Sequence, residues 1–138
     1  MRIMALDYGD KTVGVALTDE LGMTAQPFET IFRERATKLR RTYARIEEIV
    51  DEKGVGEIVV GLPLLDDGSE GERCFLVRQF ADDLKRRTKL PVYFEDERYT
   101  TAAADDILDE MNIAPYERKS YIDKIAASII LEQYLRKR

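Results

Sequence analysis

The stretch Arg2-Ile-Met-Ala-Leu-Asp-Tyr-Gly-Asp-Lys-Thr-Val-Gly-Val-Ala-Leu-Thr18 decides how the fold begins. Arg2 to Asp7 is a short apolar run, which predicts a buried strand. Tyr8 to Lys11 holds a glycine and two charges and turns. Thr12 to Thr18 is a second strand, close enough to form a hairpin with the first. A third short strand is expected near Met23 to Ile31. Pro27 pushes it towards a sheet edge, because proline lacks the N–H a central ladder needs.

Beyond it the period changes. Ala36, Leu39, Tyr43, Ile46 and Val50 recur at three and four residues, predicting an amphipathic helix over Glu34 to Lys53, stopped by Gly54 and Gly56. Glu57 to Gly61 reads as a buried strand and Asp66-Asp67-Gly68 as a turn. Ser69-Glu-Gly-Glu72 has capping-box spacing and predicts a helix to Thr88, with Leu76, Phe80 and Leu84 inward. Pro91 to Phe94 is a further strand, ending in Glu95-Asp96-Glu97-Arg98. Helices follow at Thr100 to Met111 and Tyr121 to Lys137. The order β-β-β-α-β-α-β-α-α predicts an α/β fold. Three antiparallel strands lead into β-α-β-α units, giving a mixed sheet with helices on both faces.

Composition narrows the chemistry. The 138 residues contain no histidine, no tryptophan and one cysteine. Histidine-dependent nucleophile pairs and H-E-x-x-H zinc sites are excluded, and Cys74 alone makes neither an internal disulfide nor a thiolate cluster. The N-terminus does not read as a signal peptide. The longest apolar run, Ile58 to Leu65, falls far short of the ~20 residues a bilayer span needs. The expectation is a cytoplasmic protein of one domain, residues 1–138, with no membrane partner. The net charge of −5 argues against a nucleic-acid partner only until its distribution is considered. Residues 33 to 45 hold Arg33, Arg35, Lys38, Arg40, Arg41 and Arg45 against Glu34 alone, whereas residues 95 to 110 hold seven acids against Arg98. A basic helix face can track phosphates while an acidic pocket holds a cation, although such faces are also common as solvated surface.

In open α/β sheets, sites form at the carboxyl ends of strands. Asp7 stands at one such end, where it either serves a turn or carries chemistry. Glu95, Asp96 and Glu97 stand at another, either solvated or gathered about a cation. Asp123 lies on a helix whose Ile122, Ile125, Ala126, Ala127, Ile129 and Ile130 predict burial almost all round. A buried carboxylate needs a partner. A local one is available, because Ser120-x-x-Asp123 resembles a capping box. Together the three positions suit Mg²⁺, which prefers oxygen ligands and is held by one or two carboxylates plus substrate phosphates. Such chemistry hydrolyses phosphodiesters without an imidazole.

Four motifs then bear a family resemblance. Ala5-Leu-Asp-Tyr-Gly-Asp-Lys-Thr-Val-Gly-Val-Ala16, Val60-Gly-Leu-Pro63 with Asp67-Gly-Ser-Glu-Gly71, Asp96-Glu-Arg-Tyr-Thr-Thr101 and Asp123-Lys-Ile-Ala-Ala127 resemble the YqgF/RuvX family across the whole chain. The resemblance implies an RNase H-like fold. It also implies a divalent-metal nuclease using Mg²⁺ or Mn²⁺, which processes the 5′ end of pre-16S ribosomal RNA in ribosome biogenesis. Its expected acids fall on Asp7, on Glu97 (with Asp96 the other member of that motif) and on Asp123. Asp7, Glu97 and Asp123 are then the metal ligands, and Glu95 lies outside the motif. Lys11, Arg98 and Lys119 are expected to contact substrate phosphate, with Gly61, Pro63, Gly68 and Ser69 bordering the groove. Two positions depart from the pattern. Thr12 stands where the family usually has arginine, and Leu65 where it usually has asparagine. Both remove polar groups beside the expected substrate path.

Two alternatives stay open at this point. One is a Holliday junction resolvase acting on branched DNA, which calls for a symmetric dimer because two related strands must be cut. The other is a non-catalytic module binding ribosomal particles or proteins. No unpaired apolar stripe marks a dimer, so the sequence allows a monomer or a homodimer.

Overall fold

The hairpin forms as the apolar runs predict. β1 (Arg2–Tyr8) and β2 (Thr12–Thr18) pair antiparallel, with Asp7 opposite Gly14. β3 (Ala25–Phe32) pairs antiparallel with the other side of β2 and forms the sheet edge that carries Pro27. The chain crosses through α1 (Arg40–Lys53) to β4 (Val55–Leu62), parallel to β1. It crosses again through α2 (Glu72–Thr88) to β5 (Val92–Asp96), parallel to β4. α3 (Thr100–Glu110), a 3₁₀ helix (Pro115–Ser120) and α4 (Ile122–Arg136) complete the computed structural model, which describes residues 1–138. The sheet order is β3-β2-β1-β4-β5. No helix is long and apolar enough to cross a membrane.

Alternation sorts side chains to the two faces of the sheet. Met4, Leu6, Tyr8, Val13, Val15, Ile58 and Val60 pack with Tyr43, Ile46, Ile49, Val77, Phe80 and Leu84, so α1 and α2 cover one face. Ile3, Ala5, Ala16 and Val59 face Ala127, Ile130 and Leu131 of α4. α3 then packs on the outer side of α4 through Ala104 and Leu108. The small residues Ala5, Gly14, Ala16 and Gly61 let α4 lie close to the sheet. A Cβ on Gly14 would sit 2.0 Å from the Asp123 carbonyl oxygen. At the far end of α4, Glu57 and Glu95 are buried on the same face. The Tyr134 hydroxyl and Arg138 donate to Glu57, and Lys137 bonds Glu95 at 2.6 Å.

Several local expectations change. α1 begins at Arg40, not Glu34, because the Arg33 guanidinium holds the preceding loop in a non-helical path. It donates to the Ala36 carbonyl at 3.2 Å and to the Gly9 carbonyl at 2.5 Å. Ser69 does not cap α2. Its hydroxyl donates to Asp67 and the N-cap is Gly71, so the helix opens at Glu72. Leu76 is exposed, and the inward residues are Cys74, Val77, Phe80, Ala81 and Leu84. The apolar spacing is satisfied equally well one residue along, and only packing against β4 chooses between the two.

Candidate active site

β1 and β4 are parallel, as are β4 and β5, so Asp7, Leu62 and Asp96 reach the same edge of the sheet. Asp7 follows Ile3 and Ala5 as the third α4-facing odd position of β1 and lies opposite Gly14 across the hairpin. It therefore points towards α4 and does not serve the Tyr8-Gly9 turn. Glu97 follows β5. Its N–H donates to the Leu62 carbonyl at 3.2 Å, and its own carbonyl accepts from the Thr100 N–H at 3.1 Å and the Thr100 hydroxyl at 2.9 Å. Those bonds turn its side chain back over the sheet, where it hydrogen-bonds the Asp7 carboxyl. Gly61 lies beneath. A Cβ there would stand 2.5 Å from Glu97 Oε2 and 2.6 Å from Ile130 Cδ1. Gly61 thus makes room for Glu97 and is itself buried.

Burial raises the Asp7 carboxyl above the ordinary range. The Glu97 hydrogen bond and the Arg73 charge act against this, and the Asp123 charge adds to it. Burial and the neighbouring Asp7 charge push Glu97 up to about 9. Two half-buried carboxylates in contact cannot readily both ionise without a counter-charge, so the pair holds a proton at neutral pH. Asp123 opens α4 but caps nothing. The N-cap is Tyr121 without a side-chain bond, and the Ser120 hydroxyl donates to the Glu117 carbonyl. Its half-buried carboxylate is left free beside the pair. As the side chains stand, no three acids converge tightly enough to enclose an ion. The fit lies in the donor set instead, since two half-buried carboxyl groups lack the positive charge that would let both ionise.

Asp96 is engaged elsewhere. Arg98 donates to it from its backbone N–H and its guanidinium, both at 2.9 Å, which holds its carboxyl below the usual range. Arg98 also donates to the Asp66 carbonyl at 3.2 Å, joining β5 to the Asp66–Ser69 turn. Gly68 adopts the left-handed conformation that this turn requires, and Ser69 is exposed on it. Pro63 is half-buried and its carbonyl receives the Cys74 thiol. Lys11 is exposed on the β1–β2 turn. Lys119 is exposed on the 3₁₀ helix and lines a cavity with Phe32 and Tyr121. Glu95 is buried against Lys137, apart from the pair. Of the two departures, Thr12 accepts the Gly9 N–H through its carbonyl, and Leu65 packs against Gly71.

Arg73 escapes the sequence reading, and Arg33, which figures there only in a basic run, proves to brace β1. Arg73 donates to Asp10 at 2.5 Å and to the Tyr8 carbonyl at 3.1 Å, and its charge acts on both Asp7 and Glu97. Arg33 lies over the Tyr8 ring while bonding the Gly9 carbonyl. Together they brace the end of β1 from α2 and from the loop after β3. Neither carries a local signal, because each meets its partners only after the crossovers are made.

Comparison with known proteins adds independent findings. A family model described as "RuvX: Holliday junction resolvase" matches residues 1–137. A protein of Lachnospira eligens named "Putative pre-16S rRNA nuclease" is 56% identical over 135 residues, covering 98% of this chain and 96% of its own length. One of the same name from Agathobacter rectalis is 51% identical over 135 residues, covering 98% and 94%. Among solved structures, T. thermophilus RuvC in complex with Holliday junction substrate matches with a TM-score of 0.62 at 14% identity, covering 100% of this chain and 95% of that one. That likeness is one of fold.

Proposed function

The chain belongs to the RuvX family, and from that premise we propose that it is a nuclease dependent on a divalent metal, Mg²⁺ or Mn²⁺, that trims the 5′ end of pre-16S ribosomal RNA. The observation that carries this is the contact of Asp7 with Glu97 at the carboxyl edge of the sheet, with the Asp123 charge beside them. Asp7, Glu97 and Asp123 would hold the ion. When bound, a divalent cation supplies the positive charge that favours a nucleophilic water and offsets charge building on the phosphate. To serve as oxygen ligands, Asp7 and Glu97 would have to release the proton that they share. Gly61 leaves the space in which Glu97 can do this, and Thr100 fixes the backbone that aims it. Arg73 moderates the negative charge of the pair, and exposed Lys11 meets phosphate at the rim. Arg98 orders the Asp66–Ser69 turn and holds Asp96 away from the pair, which favours Glu97 over Asp96 as the second acid.

The family description favours a second substrate, the four-way DNA junction. A panel in Mg²⁺ separates the two, comparing a 5′-extended rRNA precursor with a four-way junction. The precursor is expected to be cut, and Asp7→Asn is expected to lower the rate ~100-fold or more, as loss of a group that acts on transition-state charge does. Cleavage unchanged in Asp7→Asn overturns the assignment. Junction cleavage without precursor cleavage moves the substrate to DNA.

A further inference from the structure

Two cavities flank the end of β3 and share one residue. The first, of about 640 Å³, is lined by Arg33, Lys38, Arg40 and Arg41 and by Phe32. The second, of about 420 Å³, is lined by Phe32 with Tyr116, Lys119 and Tyr121. The first is strongly basic. Its only acid, Glu34, stands 4.0 Å from Lys38, while Arg40 and Arg41 pair with no carboxylate. Arg33 keeps Nη1 buried without a partner. The second presents three aromatic rings to solvent. Tyr116 is 84% exposed, Phe32 57% and Tyr121 38%. Pro115 and the 3₁₀ helix hold Tyr116 in place, and strand pairing of Phe32 with Thr12 holds Phe32.

The register ties this surface to the acids. Asp7 lies opposite Gly14, and Gly14 opposite Thr30. Phe32 is two residues beyond Thr30 and so faces the same side as Asp7. Two strand spacings across and two residues along put them about 12 Å apart at the backbone. Base-paired nucleotides hide their faces in the stack and have little use for exposed rings, whereas unpaired bases stack on them. Cations alternating with aromatic platforms suit a flexible single strand.

We propose that the end of β3 is a binding path for an unpaired nucleic-acid strand, with Lys38, Arg40 and Arg41 holding its phosphates and Phe32, Tyr116 and Tyr121 stacking its bases. The path delivers single-stranded substrate to the carboxylates. It deepens the nuclease reading and rests on it for the purpose of delivery, but binding is measurable alone. Fluorescence anisotropy in EDTA, where metal-dependent cutting is silent, compares a single-stranded RNA, the same sequence as single-stranded DNA, and its duplex. Phe32→Ala and Tyr116→Ala remove exposed rings and leave the core intact. Each is expected to weaken single-strand binding roughly tenfold and to leave duplex binding unchanged. Arg40→Ala with Arg41→Ala is expected to lower the slope of log affinity against log salt by about 1.4 for a single strand. Tighter binding to RNA than to DNA, with the same loss in both ring variants, supports the path and makes it RNA-selective. Unchanged single-strand affinity in both ring variants overturns it, as does duplex binding at least as tight as single-strand binding. Hydrolysis of a small phosphodiester such as bis-p-nitrophenyl phosphate in Mn²⁺ tests the chemistry separately. It should survive the ring variants and fail in Asp7→Asn. If it is absent while ring-dependent binding persists, the nuclease reading falls and the binding path stands.

Discussion

Glu97 is half-buried against a second carboxylate, and this leaves a pH signature. Its ordinary pKa of 4.5 rises to about 9 in the folded protein, through burial and then through the Asp7 charge. The folded state therefore binds the proton more tightly than the unfolded chain. The stabilisation from that proton is complete below 4.5 and is lost as pH rises towards 9. Glu97→Gln keeps the shape without the charge. Its melting temperature in EDTA is expected to exceed the parent's at about pH 9 and to approach it at about pH 4.5, and thermal melts across that window check the sign. A variant that is less stable at every pH contradicts the shared-proton arrangement. At this scale the sequence was informative where a carboxylate stood out against its apolar surroundings, as Asp7 and Asp123 do. It was mute for Arg73, whose partner Asp10 is 63 residues away. Nothing in α2 sets that arginine apart from its exposed neighbours.

Among the elements, strands were read more faithfully than helix boundaries. β1, β2 and β4 are apolar on both faces, and burial between two helical layers is the simplest explanation of such runs. The start of α1 was read six residues early because Ala36 fits the helical period yet ends exposed, in a loop that Arg33 ties to Gly9. Both capping-box patterns failed, since Asp67 takes the Ser69 hydroxyl and the Glu117 carbonyl takes that of Ser120. The packing of α4 on β2 was also hidden, although it places Asp123. Gly14→Ala tests it. The added methyl meets the Asp123 carbonyl at 2.0 Å, so helix and strand must part. A loss of about 3 kcal/mol or more is expected in urea unfolding, with metal affinity falling alongside. A fully stable variant refutes the close approach.

Across the whole molecule, charge placement matters more than its sum. The net −5 conceals a basic surface at the β3–α1 loop and a carboxylate pair at the same end of the sheet. It also conceals two further buried acids, Glu57 and Glu95, which the last two residues neutralise. Lys137 is two-thirds exposed and Arg138 nearly half exposed, so solvent weakens both pairs. The double change Lys137→Ala with Arg138→Ala is expected to cost about 2 kcal/mol. Adding Glu95→Gln should recover part of that in the same denaturation series, and no recovery would mean that the loss is one of packing alone.

The close seating of α4 on β1, β2 and β3 also bears on timing during synthesis. A growing chain carries Asp7 from β1 and Glu97 later, but Asp123 and the cover for one face of the sheet arrive with α4. Until then α1 and α2 cover only one face of the sheet, and Asp123 has no fixed relation to Asp7 and Glu97. The three acids can take up their common arrangement only once α4 has been made and has seated on the sheet.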